Sequence, residues 1–166
     1  MTAIPAEAPA RTVTLEGMSP VPDLGVIQAI GPDAARFLHG QLTQDFSLLG
    51  DGQARLAAFC SAKGRMQASF IGVKAGPERI LLVCSRDLLA PTLKRLSMFV
   101  LRAQVRLTDA SADWQCVGLA GSAARMAGLP DAPWTVRRQG ETIAIRLYPA
   151  DGMPRALWLA PAGEPP

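Results

Sequence analysis

Hydrophobic side chains in residues 31–66 follow the period of a helix first and that of a strand afterwards. Pro32 supplies the φ of a first helical position, and Asp33 favours the positive end of a helix. The apolar positions that then recur at helical spacing are Ala34, Phe37, Leu38 and Leu42. This pattern predicts one short amphipathic helix that begins at a Gly-Pro-Asp sequence.

Turn-forming residues separate this helix from an antiparallel hairpin. Thr43 and Asp45 carry side chains that bond nearby backbone N–H groups, which predicts capping of a second short turn. The run 56–60 is continuously apolar and bounded by turn signals, as expected of a buried strand. A Lys-Gly turn at 63–64 follows, and alternation from Met66 onward predicts the returning strand.

The rest of the chain mixes strands with helices. Apolar patterns predict strands at 80–84, 103–108, 116–119, 134–138, 143–147 and 156–159. A helical pattern follows Ser85, and Pro91 should make that helix begin near Ala90 or kink there. A second glycine-led helix, SAARMAGL after Gly121, echoes the earlier GPDAARFL.

Composition indicates a globular protein and excludes several classes. Of the 166 residues, 49% are hydrophobic and 19% are charged, which is too few charges for a disordered tail. The formal charge of +3 makes the surface mildly basic without the dense stripe of a duplex binder, so we expect no direct DNA binding. No secretory signal is recognisable, and no apolar run approaches the roughly 18 residues of a membrane helix. We therefore expect a cytoplasmic protein.

The candidate chemical groups are few. Three widely separated cysteines provide neither a disulfide framework nor a C-x-x-C zinc site, and Cys60 and Cys84 lie in apolar strands that should raise the pKa of a thiol. His39 has no carboxylate or cysteine at ligand spacing, so we interpret it as a solvated helix cap and predict no metal site. Lys63 and Gly64 form either a solvated turn or a contact for an anion.

Three segments, DLGVIQAIGPDAARFL, HGQLTQDFSLLGDG and LAAFCSAKGRM, resemble the N-terminal folate-binding domain shared by the glycine-cleavage aminomethyltransferases and the YgfZ proteins. TLKRLSMFVLRAQVRL and CVGLAG fit in the same order, so the resemblance spans nearly the whole chain. It implies an α+β fold, mainly antiparallel sheet with helices, built of duplicated β-β-α-β-type subdomains. It also implies that residues 21–160 form the domain, incomplete relative to the family, between a flexible segment 1–20 and a disordered tail 161–166.

One departure from the aminomethyltransferases and one local resemblance point to the YgfZ branch. After the glycine turn the transferases carry adjacent aspartates, whereas the matching positions here hold Gln67 and Ala68. Neither side chain titrates, so neither can act in general acid–base catalysis. Cys60 and the Ala-Lys-Gly-Arg-Met run resemble the YgfZ branch, although its cysteine signature lies further along than this sequence reaches. The resemblance therefore implies no catalytic residue.

The resemblance also implies a cofactor, tetrahydrofolate or a derivative, and a set of contacts. Leu24 matches an apolar residue that lies against the pterin, and Arg55 falls where the transferases place an aromatic side chain. Gln67 and Ala68 take the places of the carboxylates, and Lys63 offers its charge at the turn. In the family the folate sits in a pit ringed by subdomains, so we expect weak or absent binding by this chain alone.

Three functions follow as hypotheses. The favoured one is a folate-binding accessory protein that supports iron–sulfur cluster assembly or repair and thereby tRNA modification, with iron–sulfur proteins or their assembly machinery as partners. The second is a folate-dependent aminomethyl (one-carbon) transferase. The third is a truncated remnant that acts only as an interaction module. Gln67 and Ala68 favour the first and argue against an enzyme.

The end of the sequence carries one further expectation. In the family a helix follows the last strand and covers one face of its sheet, and no such helix follows here. Leu157, Trp158 and Leu159 should therefore leave an apolar patch partly uncovered. This predicts self-association through the C-terminal sheet edge, or completion of the fold by a separate C-terminal half.

Overall fold

The structure, a computed structural model, describes residues 14–164. Within them the strands are β1 (Gly17–Pro20), β2 (Leu24–Ile30), β3 (Ala54–Cys60), β4 (Met66–Gly76), β5 (Arg79–Ser85), β6 (Arg106–Asp109), β7 (Trp114–Ala120), β8 (Val136–Gln139), β9 (Thr142–Ala150) and β10 (Met153–Pro161). The helices are α1 (Ala34–Gln41), α2 (Arg86–Ser97) and α3 (Ser122–Met126). The α+β class and the dominance of antiparallel sheet are thus confirmed.

Two five-stranded sheets, both with antiparallel pairing, contain these strands. Sheet A has the order β1-β7-β10-β9-β8, and sheet B has the order β3-β4-β5-β2-β6. Along the chain the elements repeat as two strands, a helix and three strands, with α2 between the two repeats. The predicted β-β-α-β unit is the first part of each repeat, so the predicted duplication is present.

The repeats exchange their first strands. β1, from the first repeat, pairs with β7 of the second, and β6, from the second repeat, pairs with β2 of the first. Apart from β1 and β6, the two repeats have the same topology. α1 follows β2, which lies beside β5, and α3 follows β7, which lies beside β10. β5 and β10 are each the third strand of an antiparallel meander. A glycine with positive φ precedes each helix: Gly31, at 140°, lies three residues before α1, and Gly121, at 61°, lies directly before α3. The sequence echo at these glycines therefore has a structural counterpart.

A shared core joins the two sheets. Buried side chains from both sheets fill the space between them, among them Val26, Val73, Leu81, Trp114, Ile143, Ile145, Leu157 and Leu159. Helices α1 and α2 cover the other face of sheet B, where Phe37, Leu38 and Leu96 pack on strand residues. On the outer face of sheet A, the short α3 contributes Ala124 to a smaller cluster.

Several boundaries differ from the predicted ones. Residues 17–20 form β1, so the predicted flexible segment 1–20 is wrong there, whereas residues 1–13 lie outside the described residues. Pro161 belongs to β10 rather than to a tail. α1 begins at Ala34, not at Pro32, and α2 begins at Arg86 and continues through Pro91. Pro91 cannot donate one of the hydrogen bonds of the helix, which costs stability. Burial of the face that bears Leu89 and Leu96 offsets this cost.

The predicted uncovered patch is wrong for its two leucines. Leu157 and Leu159 are 3% and 0% exposed, because β10 is the central strand of sheet A and this face packs on sheet B. β10 therefore offers no sheet edge. Trp158 points to the opposite face, where it is half-buried near the exposed Met18 and Met126. Self-association remains a prediction, and the outer face around Trp158 is the part of β10 available for it.

Candidate ligand groove between the two sheets

A groove of about 410 Å³ lies between the two sheets, and we call it the inter-sheet groove. Its walls are mostly apolar. The residues that line it are Leu15, Glu16, Gly17, Met18, Ser19, Val21, Leu24, Ile71, Gly118, Leu119, Ala120, Leu147, Arg155, Ala156 and Leu157. Pockets for small ligands are typically apolar concavities with a few polar groups that fix orientation. The inter-sheet groove has this composition, with Glu16 and Arg155 as its ionisable residues.

The position of Leu24 follows from the turn between β1 and β2. Leu24 begins β2 opposite Ser85, and its side chain packs on the core between the sheets. Arg86, at the start of α2, fastens this turn: its Nε donates to the carbonyl of Pro22 at 2.7 Å and its NH2 to that of Leu24 at 2.9 Å. The sequence offered no signal for Arg86, because the contact joins residues more than sixty positions apart.

Glu16 is engaged with the start of α3 rather than with the groove. Its carboxylate accepts the backbone N–H of Ser122 at 2.7 Å and also the Ser122 hydroxyl. These two hydrogen bonds hold the pKa of Glu16 below its usual value, and the nearby Arg125 acts in the same direction. Glu16 therefore remains an anion, and its Oε1 accepts both of these hydrogen bonds.

Arg155 is the cationic side chain of the inter-sheet groove. It is half-buried on β10, just after a register shift, and its Nε donates to the carbonyl of Tyr148 at 3.0 Å. Within residues 14–164 its two terminal nitrogens have no hydrogen-bond or ion-pair partner. Arg155 was not predicted from the sequence, because alternation along β10 does not reveal which other strands lie next to β10.

Of the predicted folate contacts, only Leu24 lines the inter-sheet groove. Ala68 is 2% exposed and packs on the other face of sheet B, beneath the helices. Gln67 is exposed and borders a separate hollow of about 210 Å³ against α2. Lys63 is exposed in the hairpin turn, and half-buried Arg55 donates to Gln53 at 2.8 Å. The structure therefore does not gather these residues into one pocket.

The predicted turn residues act structurally. Thr43 Oγ1 accepts the backbone N–H of Ala58 at 2.9 Å, and Asp45 Oδ1 accepts the N–H groups of Ser47 at 2.8 Å and Leu48 at 3.2 Å. His39 Nδ1 lies 3.3 Å from the same Asp45 oxygen, and the His39 side chain is 52% exposed. The predicted capping by Asp45 is confirmed, whereas Thr43 bonds Ala58 of β3 rather than a nearby backbone N–H.

Burial disfavours reaction at two of the three cysteine thiols. Burial raises the pKa of both Cys84 and Cys116 to about 11, so both remain protonated at neutral pH, whereas Cys60 is half-buried. In the part of the chain that the structure describes, no group of three or more His, Cys, Asp or Glu side chains is placed to hold a metal ion. No helix in that same part is both long and apolar enough to span a bilayer.

Comparison with known proteins places the chain in a family. The family model of the GCVT N-terminal domain matches residues 6–127. The chain is 34% identical over 148 residues to the tRNA-modifying protein YgfZ of Klebsiella pneumoniae, covering 82% of this chain and 41% of that protein. It is 32% identical over 108 residues to an aminomethyltransferase of Rubrobacter xylanophilus, covering 65% of this chain and 29% of that protein.

A solved structure supports the same fold. The glycine cleavage system aminomethyltransferase T from Bartonella henselae superposes with a TM-score of 0.68 at 21% identity, over 89% of this chain and 42% of that one. The chain thus spans less than half the length of the curated relatives named above. Because the family model covers most of the sequence and the fold agrees with this neighbour, the chain belongs to the GCVT N-terminal domain family.

Proposed function

We propose that this chain is a folate-binding accessory protein without catalytic activity, and that the inter-sheet groove receives the pterin ring of tetrahydrofolate or a derivative. Its partners would be iron–sulfur proteins or their assembly machinery, through which it supports tRNA modification. The relative from Klebsiella pneumoniae, named as a tRNA-modifying protein, supports this assignment. Three free cysteines suit a reducing cytoplasm.

The observation that carries the proposal is the chemistry of the groove walls. Leu24, Val21, Ile71 and Leu157 present apolar surface from both sheets, which suits a flat ring that gains affinity from burial. When bound, tetrahydrofolate carries one-carbon groups on its ring nitrogens. The residues of this chain would bind the ring and exclude water from it.

The ionisable groups that line the groove within residues 14–164 argue against turnover. Proton transfer needs a titrating group free to reach the substrate, and Glu16 is held at the start of α3 by Ser122 through its Oε1. Gln67 cannot ionise, and Ala68 is buried on the opposite side of sheet B. The transferase alternative, favoured by the likeness to the Rubrobacter xylanophilus aminomethyltransferase, would need an acid that these positions lack.

Titration of tetrahydrofolate into the chain, followed by NMR shifts of backbone amides, tests the proposal at the millimolar affinities expected. Leu24→Asn should weaken binding at least fivefold, because it places an amide against the ring. Leu101→Asn is the matched control, since Leu101 is 86% exposed and lies outside the groove. Arg55→Ala should leave binding unchanged, because Arg55 does not line the groove.

Two results would contradict the proposal. One is saturable binding that Arg55→Ala abolishes and Leu24→Asn does not alter, which would move the site to the helix-covered side of sheet B. The other is formation of methylenetetrahydrofolate when the purified chain is mixed with tetrahydrofolate and an aminomethylated carrier protein. The second result would establish the transferase alternative instead.

A further inference from the structure

Arg155 is placed to meet an anion at the inter-sheet groove. Its strand is paired on both sides, with Ala120 of β7 and Leu147 of β9 as direct neighbours, so its backbone is held in the middle of sheet A. The hydrogen bond from Nε to the carbonyl of Tyr148 orients the guanidinium. Because the terminal nitrogens have no partner within residues 14–164, they remain available as donors.

The surroundings of Arg155 strengthen any such contact. The side chain is half-buried and shares the groove with apolar residues such as Leu147 and Leu157, which keep water away from one side of it. Charge interactions grow as the local dielectric falls, and a planar guanidinium binds a carboxylate through two parallel hydrogen bonds. The acid on the same groove, Glu16, bonds Ser122 through Oε1, and within residues 14–164 it forms no ion pair with Arg155.

We infer that Arg155 is a specificity-determining residue that binds a carboxylate on the tail of the groove's ligand. This inference rests on the proposed function, because it takes the pterin ring to occupy the apolar walls beside Leu24. The ligand class is then a flat, uncharged ring system joined to an acidic tail. A ring without a tail lacks the group that Arg155 recognises.

Three probes separate the ring from the tail: tetrahydrofolate, which has both; 6-methyltetrahydropterin, which has the ring alone; and p-aminobenzoylglutamate, which has the acidic tail alone. Each is titrated by NMR into the full 166-residue chain and into Arg155→Gln, Arg155→Lys and Arg102→Gln. Arg102 is exposed and does not line the groove, so its variant makes the same change in net charge elsewhere. Thermal melting of each variant checks that it is folded.

Arg155→Gln should weaken the binding of tetrahydrofolate about tenfold or more, the usual loss for one charge-assisted hydrogen-bonded contact. It should leave the binding of 6-methyltetrahydropterin unchanged. Arg155→Lys should restore part of the affinity, because it returns the charge without the paired donors. Arg102→Gln should behave as the parent. Added salt should weaken the binding of tetrahydrofolate to the parent chain more than its binding to Arg155→Gln.

The failures are distinguishable. If tetrahydrofolate binds and Arg155→Gln does not change its affinity, this inference is wrong and the proposed function stands. If Arg155→Gln weakens the binding of 6-methyltetrahydropterin and of tetrahydrofolate equally, Arg155 maintains the shape of the groove and does not bind the tail. The inference is then also wrong. If neither tetrahydrofolate nor 6-methyltetrahydropterin binds the parent chain, the proposed function fails together with the inference.

Discussion

Among single side chains, Cys84 and Cys116 show how packing controls chemistry. They lie in different parts of the core: Cys84 is buried between sheet B and the helices, and Cys116 is buried between the two sheets. Burial raises the pKa of each thiol to about 11, whereas an unfolded thiol titrates near 8.5. For Cys84 the carboxylates of Asp109 and Asp87 add to the rise. The native state therefore holds both protons more tightly than the unfolded chain.

This difference predicts a loss of stability in base. A group whose folded pKa is raised contributes its full stability below the unfolded pKa and loses it as pH rises to the folded value. The free energy of unfolding should therefore fall between about pH 8.5 and about pH 11. Urea denaturation at stepped pH measures it, with Cys84→Ala/Cys116→Ala as the control, in which the fall should be smaller. An equal fall in both proteins would show that other groups cause it.

Among the secondary-structure elements, β4 shows how a loop packs on a sheet. Phe46, in the segment after α1, is fully buried against Gly72. A Cβ at Gly72 would lie 2.5 Å from Cε1 and 2.7 Å from Cζ of the Phe46 ring. The missing side chain therefore makes room for the ring, and the loop that carries Thr43 and Asp45 depends on that space.

Gly72→Ala should lower the free energy of unfolding by about 1–3 kcal/mol, the usual cost of overpacking a core. Gly76→Ala in the same strand is the matched control, because its added Cβ would meet Arg79 Cβ at an ordinary 3.6 Å. Urea denaturation of the two variants and the parent gives the comparison. Equal stability of the two variants would mean that Phe46 moves aside without cost.

Considered whole, the molecule is two repeats held together by the exchange of β1 and β6. Each sheet contains a strand from the other repeat, and both sheets bury side chains in one core. Neither sheet can therefore be complete while the other repeat is unfolded. This arrangement predicts a single cooperative transition, as is usual for one small domain.

Leu159→Ala should test that cooperativity. Leu159 is 0% exposed in the core between the sheets, so its truncation should cost about 2–5 kcal/mol and shift the whole transition. Leu101→Ala, at an 86% exposed position, should change stability by less than about 0.5 kcal/mol. Far-UV circular dichroism and tryptophan fluorescence should give coincident curves. Two separated transitions in either protein would contradict the shared core.

The sequence was sufficient to predict the family, the α1 helix, the β3–β4 hairpin and the non-ionisable residues at 67 and 68. These features depend on short-range periodicity, on turn chemistry and on residue identity, which are legible within about fifteen positions. The role of Asp45 was predictable for the same reason, because it caps residues two and three positions away, whereas Thr43 bonds Ala58 on β3, fifteen positions along the chain.

Three features could be known only from the folded chain: the exchange of β1 and β6, the central place of β10, and the meeting of Leu24 with Arg155 in one groove. Gly17 pairs with Ala120, and no local pattern can select a partner so distant. Which face of a strand is covered depends on which sheet packs against it, so Leu157 and Leu159 are buried where the sequence predicted exposure. Strand pairing and sheet packing minimise the free energy of the whole chain, and that is why they follow from the fold and not from the segment.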